Sequence, residues 1–144
     1  MRPVWFVGIF LTILLGAIGY MLADNQQPYI YLAEKSYVRP DPAAPGHQIL
    51  VHWEFKVNRV CPGVIVRTLV DARTGAKISY DPILALGTVK MGDSSLERTF
   101  LLPEGMLPGH KIYRANAEYV CNPLHRFWPL KVQTPDIHFE VKAE

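Results

Sequence analysis

Residues Ile49 to Val57, ILVHWEFKV, decide the fold: Ile49, Val51, Trp53, Phe55 and Val57 alternate with Leu50, His52, Glu54 and Lys56. A period of two sends alternate side chains to opposite faces of a strand, so one face reads as core and the other as largely polar. The pattern returns at Tyr113, Ala115, Ala117, Tyr119 and Cys121, which alternate with Arg114, Asn116, Glu118 and Val120. Between these two stretches the spacing predicts strands over Val64 to Val70, around Ile78, over Leu84 to Met91 and over Leu96 to Leu102. DARTG (71–75), GDSS (92–95) and PEGMLPG (103–109) read as turns. A first strand over Tyr29 to Val38 is ended by the proline-rich RPDPAAPG (39–46). In the last segment Leu130 and Val132 lie on one parity and Ile137, Phe139 and Val141 on the other, which a bulge at Thr134-Pro135-Asp136 would reconcile. About eight short strands punctuated in this way predict an all-β antiparallel sandwich or barrel.

Upstream of this region the pattern is of another kind. From Pro3 to Ala23, PVWFVGIFLTILLGAIGYMLA carries no charge, and a helix of that length spans roughly 31 Å, one hydrocarbon core. Trp5 and Tyr20 lie near its two ends, where amphipathic rings prefer the headgroup region. Arg2 precedes it and Asp24 follows it, so the positive-inside bias places the N-terminus in the cytoplasm and the remainder outside. A cleaved signal peptide would have a shorter apolar region and small residues at −3 and −1, a pattern that Met21 before Ala23 fits poorly. No cysteine follows the run to accept a lipid. The expected organisation is a transmembrane signal-anchor over 1–24, a short linker over 25–28 and one extracytoplasmic domain over 29–144, in the inner membrane of a bacterial envelope. Gly8, Thr12 and Gly16 recur every four residues, a small-residue stripe of the kind through which membrane helices pair, so helix-helix contact and self-association are expected there.

The chain has 144 residues with a formal charge of +2, and its basic residues are scattered. After the anchor enough remains for one domain with one core. Scattered basic residues argue against nucleic acid as a partner. Cys61 and Cys121 are the only cysteines and lie far apart, so neither a CxxC redox pair nor a four-ligand zinc site can be built from them.

Tyr119-Val120-Cys121, following LPGHKIYRANAE, resembles the tyrosine-then-cysteine spacing of the immunoglobulin F strand. With the strand punctuation, the region from about Pro28 to Lys142 is therefore similar to an immunoglobulin-like or fibronectin-type-III-like sandwich. That resemblance implies that Cys61, about sixty residues upstream, is the B-strand partner of Cys121. Trp53 precedes the first cysteine, whereas the family's core tryptophan follows it, so the resemblance carries architecture and no binding residues. WEFKVNRVCPGVIVRTLVD (53–71) also resembles small single-pass membrane proteins of bacteria and phages. Outside the cytoplasm two cysteines at the ends of core strands are expected to be bonded; the alternative is two reduced thiols.

GxSxG, HExxH, Walker and Rossmann patterns are all missing, so no catalytic residue and no cofactor is expected and the chain reads as non-enzymatic. His47, His52, His110, His125 and His138 lack ligand spacing, although a metal site with Met91 or Met106 would make the chain a periplasmic metal- or redox-handling factor. His52 and His138 read as polar-face strand residues. NPLHRFWP (122–129) is a proline-bounded segment of the residue types that dominate binding hot spots. Phe127 reads as a first core residue of the last strand, and Arg126 and Trp128 as contact residues. Counting strand directions outward from the membrane brings NRVCPG (58–63) and this segment to the membrane-proximal end. Arg59, His125, Arg126 and Trp128 would then face the bilayer or a partner's membrane-embedded part, unless the linker lets the domain tilt. The expected function is an envelope protein that binds or scaffolds a protein partner in a membrane complex, or a phage-encoded envelope protein acting in lysis or superinfection exclusion.

Overall fold

A computed structural model of the chain describes residues 3–85 and 89–143. Arg2, on which the orientation argument partly rests, and the middle of the expected Leu84–Met91 strand lie outside the described residues. The apolar run forms one helix, α1 (Pro3–Ala23), and eight strands follow: β1 (Tyr29–Arg39), β2 (Gln48–Val57), β3 (Gly63–Asp71), β4 (Lys77–Ala85), β5 (Gly92–Leu101), β6 (Gly109–Tyr119), β7 (Leu130–Gln133) and β8 (Ile137–Val141). One sheet has the order β1-β2-β5. The other has the order β4-β3-β6-β7, with β8 pairing the far end of β6, and the pairs between strands are antiparallel.

The alternation read from the sequence becomes burial. Ile49, Val51, Trp53, Phe55 and Val57 of β2 face Tyr113, Ala115, Ala117 and Tyr119 of β6 across the space between the sheets, and all are buried. Aromatic rings bridge the two layers: Tyr29 lies 4.6 Å from Tyr119, and Trp53 5.5 Å from Tyr113, between ring centroids. The Tyr31 and Tyr119 hydroxyls meet at 3.1 Å. Desolvation pushes the Tyr113 and Tyr119 phenols well above their ordinary range and Tyr80 to about 12. Gly63 is required where β3 enters this layer, because a Cβ there would fall 2.4 Å from Tyr119 Cδ1 and 2.6 Å from the Glu118 carbonyl oxygen.

Several local expectations change. GDSS is no turn, since Gly92 to Ser95 open β5 and pair with β2 from Val57 to Glu54. Leu84 and Ala85 end a longer β4 that begins at Lys77, so no separate strand starts at Leu84. The expected bulge at Thr134-Pro135-Asp136 is a full break between β7 and β8. Thr134 Oγ1 there donates to the Ala115 carbonyl at 3.0 Å, while Arg114 holds Asp136 through both carboxylate oxygens. DARTG does close the β3–β4 hairpin: Asp71 Oδ1 accepts from the Arg73 and Thr74 amides, and Gly75 takes a positive φ of 72°. The other Asp71 oxygen pairs with Lys111, whose side chain is 2% exposed.

α1 carries its apolar residues on every side, and none of its membrane-length window is buried against the sandwich. It is an apolar helix of the kind shared by membrane anchors and signal sequences. Gly8, Thr12 and Gly16 lie on one helix face, and the Thr12 hydroxyl donates to the Gly8 carbonyl. Among the described residues nothing approaches a Cβ built on Gly8 or Gly16.

Candidate functional site

The antiparallel order fixes which loops share an end. β1 begins where α1 stops, so the Asn58–Pro62 connection, the start of β5 and the segment after β6 gather beside the helix C-terminus. The PDPAAPG, DARTG and PEGMLPG turns gather at the other end. The Cys61–Cys121 disulfide ties two of the helix-side segments together. Neither cysteine lies within a strand: Cys61 is in the β2–β3 connection and Cys121 follows β6. The bridge is therefore a loop-to-loop staple, which corrects the B-strand assignment that the immunoglobulin resemblance implied.

The residues flanking the bridge grip the chain that leaves α1. Arg59 Nη1 donates to Asp24 Oδ2 at 2.7 Å and Nη2 to the Gln26 carbonyl at 2.8 Å. Asn58 donates through its side chain to the Gln27 carbonyl and through its backbone to that of Pro28. From the other side of the disulfide, Asn122 Nδ2 reaches the Met21 carbonyl at 3.2 Å and Asp24 Oδ2 at 3.3 Å. His125 is buried, with Nδ1 accepting from the Cys121 amide and Nε2 lying 3.1 Å from the Asp24 carbonyl oxygen. One ring nitrogen accepts and the other must donate, so the arrangement requires the Nε2–H tautomer. The Arg59 guanidinium, helped by the Asn122 amide, holds the Asp24 carboxyl below the usual carboxylate range against the opposing effect of burial.

Asn122 also starts the turn that follows. Its Oδ1 accepts from the Leu124 and His125 amides, and Pro123 occupies the first position of a 3-10 turn over Pro123–Arg126, where its missing N–H costs nothing. The Asn-Pro pair is the sequence signal for this cap. The turn leaves Arg126 exposed, with Phe127 74% and Trp128 66% exposed. Phe127 is thus no core residue; β7 begins only at Leu130.

Of the four expected contact residues, Arg59 and His125 are consumed by the chain itself, whereas Arg126 and Trp128 remain available. Beside them a groove of about 420 Å³ is lined by apolar residues, among them Pro62, Val64, Leu84 and Val120, and by Glu118, His125 and Arg126. The groove residues escaped the sequence reading because Val64 and Leu84 come from strands on which they simply alternate outward. Among the described residues no three His, Cys, Asp or Glu side chains are grouped to hold a metal ion. His52 pairs with Glu97 and stacks on Tyr37, and His110 sits between Glu140 and His138.

No protein-family model matches the chain and no curated protein is similar to it in sequence. Similar solved structures exist. An alkylpurine DNA glycosylase, AlkC of Pseudomonas fluorescens, bound to DNA containing an abasic site analogue, is similar over 88% of this chain with a TM-score of 0.53 and 14% identity. Spo0M, a sporulation control protein of Bacillus subtilis, is similar over 83% of the chain with a TM-score of 0.47 and 11% identity. This chain spans about a third of the length of the first and about half of the second. At such identity the likeness is one of fold. Two exclusions drawn from the sequence, of enzymatic activity and of a nucleic-acid partner, do not stand, because the first of these similar chains is a DNA glycosylase seen with DNA. Absent motifs and scattered charge exclude less than they were taken to, since one fold serves many activities.

Proposed function

We propose that the chain is an envelope protein anchored once in the inner membrane by residues 1–24, with N-terminus in the cytoplasm, a linker over 25–28 and its domain, 29–144, outside. The domain binds or scaffolds a protein partner in a membrane complex, and its working surface is the helix-side end of the sandwich. The observation that carries this reading is the exposed Arg126-Phe127-Trp128 segment, which follows directly on a turn bonded to the last turn of α1. Large rings left in solvent beside an arginine suit contact better than folding.

The sandwich itself reads as immunoglobulin-like. Taken in chain order, β1, β2 and β5 against β3, β6 and β7 correspond to strands A, B and E against C, F and G; β4 departs from the constant-type arrangement by joining the second sheet. Topology is tested by fusing alkaline phosphatase after Glu144 in bacteria. An active enzyme, with the full-length chain in the carbonate-washed membrane fraction, is expected. An inactive fusion, or a mature N-terminus near Asp24, would overturn the anchored reading.

A further inference from the structure

We propose that the helix-side end of the sandwich docks on the phospholipid headgroup layer of the bilayer that α1 crosses, with Arg126 contacting lipid phosphate and Phe127 and Trp128 entering the interface. The inference rests on the anchored reading above, not on the protein partner: it assigns the exposed segment to lipid and leaves the rest of the helix-side end to a partner.

Reach is the first argument. A helix that crosses the hydrocarbon ends in the headgroup layer, and Tyr20, exposed one turn before the end of α1, has the amphipathic ring favoured there. Asn122 touches the Met21 carbonyl at 3.2 Å and His125 the Asp24 carbonyl at 3.1 Å, so the turn that carries Arg126 begins against the last turn of the helix. On the anchored reading, lipid surrounds that turn.

Restraint is the second argument. The linker would have to lengthen for the domain to stand off the membrane, yet Asp24, Gln26, Gln27 and Pro28 are each held by Asn58 or Arg59. Both gripping loops are joined by the Cys61–Cys121 bridge. A domain held in this way keeps one face toward the bilayer.

The third argument is chemical. A guanidinium followed by two exposed aromatic rings, their centroids 6.0 Å apart, matches a layer in which phosphate lies above the beginning of the acyl chains. The neighbouring groove is lined mostly by apolar residues, with Arg126, His125 and Glu118 as its polar members, and Glu118 has Lys131 beside it at 3.7 Å. Among the described residues lining the groove, the one carboxylate therefore has a cation beside it, which suits an amphiphile with an anionic head.

The experiment uses the full chain reconstituted in vesicles of phosphatidylglycerol and phosphatidylcholine, with Trp128 left as the only tryptophan by Trp5→Phe and Trp53→Phe. Lipid brominated along the acyl chains is expected to quench Trp128 by about twofold or more and to accompany protection from iodide, while a reporter introduced at the opposite end by Leu107→Trp in a Trp128→Phe background stays unquenched. Arg126→Ala should weaken the quenching and Arg126→Lys restore most of it. Unchanged Trp128 emission with free access to iodide overturns the proposal. Protection from iodide without lipid quenching also overturns it, and would mean that a second copy of the chain covers the segment. Should Trp53→Phe prevent folding, the unsubstituted chain labelled with fluorotryptophan gives the same answer: spin-labelled lipid should broaden the fluorine resonance that Trp128→Phe removes. Flotation with the vesicles separates the two readings. A chain that floats while Trp128 remains in water loses only the docking, whereas a chain that does not float loses the anchor as well.

Discussion

At the residue scale, positions are set by what each side chain must reach. Gly63 shows this most sharply. It follows Pro62, starts β3 and lies opposite Tyr119 in the register, and the space for its missing side chain is filled by the Tyr119 ring and the Glu118 carbonyl. A backbone oxygen cannot rotate away, so Gly63→Ala should force β3 and β6 apart and destabilise the domain by about 1–3 kcal/mol, as overpacking does elsewhere. Urea unfolding followed by Trp53 fluorescence would measure it; an unchanged midpoint would mean that the strand start shifts freely. Asn122 makes the same point about function. One side chain caps a turn and holds the end of α1, and its amide nitrogen and oxygen serve different partners. The Asn-Pro signal for the cap was in the sequence, but the bond to Met21, about a hundred positions upstream, was not.

At the element scale, the strands with a strict alternation, β2 and β6, were legible because both are central and each buries one face. β4 and β5 were not. They are edge strands with mostly exposed residues, so their pattern carries little of the burial that creates a period, and Gly92 to Ser95 were mistaken for a turn. Phe127 was misread because apolar character alone does not say whether a ring ends a turn or begins a strand. The disulfide joins two connections, and its effect belongs at this scale. It closes a separation of 60 residues, for which chain entropy gives about 4 kcal/mol. The double substitution Cys61→Ala with Cys121→Ala, which leaves no free thiol, should cost about 2–5 kcal/mol by denaturant midpoint. It should also loosen the grip of Asn58, Arg59, Asn122 and His125 on residues 24–28, seen as faster amide exchange at Asn58 and Val120. Full stability without the bridge would mean that the strand pairings already hold these loops together.

At the scale of the whole molecule, three carboxylates at separate points depend on cationic partners: Asp24 on Arg59 beside the helix, Asp71 on Lys111 at the far end, and Asp136 on Arg114 between β7 and β8. Each is held below its ordinary value of 3.8, in every case chiefly by the hydrogen bond from that partner. The unfolded chain therefore binds these protons first. Their contribution is complete above about pH 5 and is lost as pH falls through the lower folded values, so the urea midpoint should drop from about pH 5 down to about pH 2. Asp136→Asn should flatten that drop; an equally steep profile would exclude this pair from the acid response. The sequence by itself determined the apolar helix, the all-β class, the alternating core of β2 and β6 and the two cysteines, because those depend on period, length and composition, which are local properties. Only the tertiary structure decided that the fourth strand joins the second sheet, that Arg59 and His125 bind the chain leaving α1, and that Arg126, Phe127 and Trp128 stay exposed. Those outcomes depend on which distant segments meet, and the packing of two sheets, not the pattern along one strand, brings Asp24, Arg59 and Asn122 together.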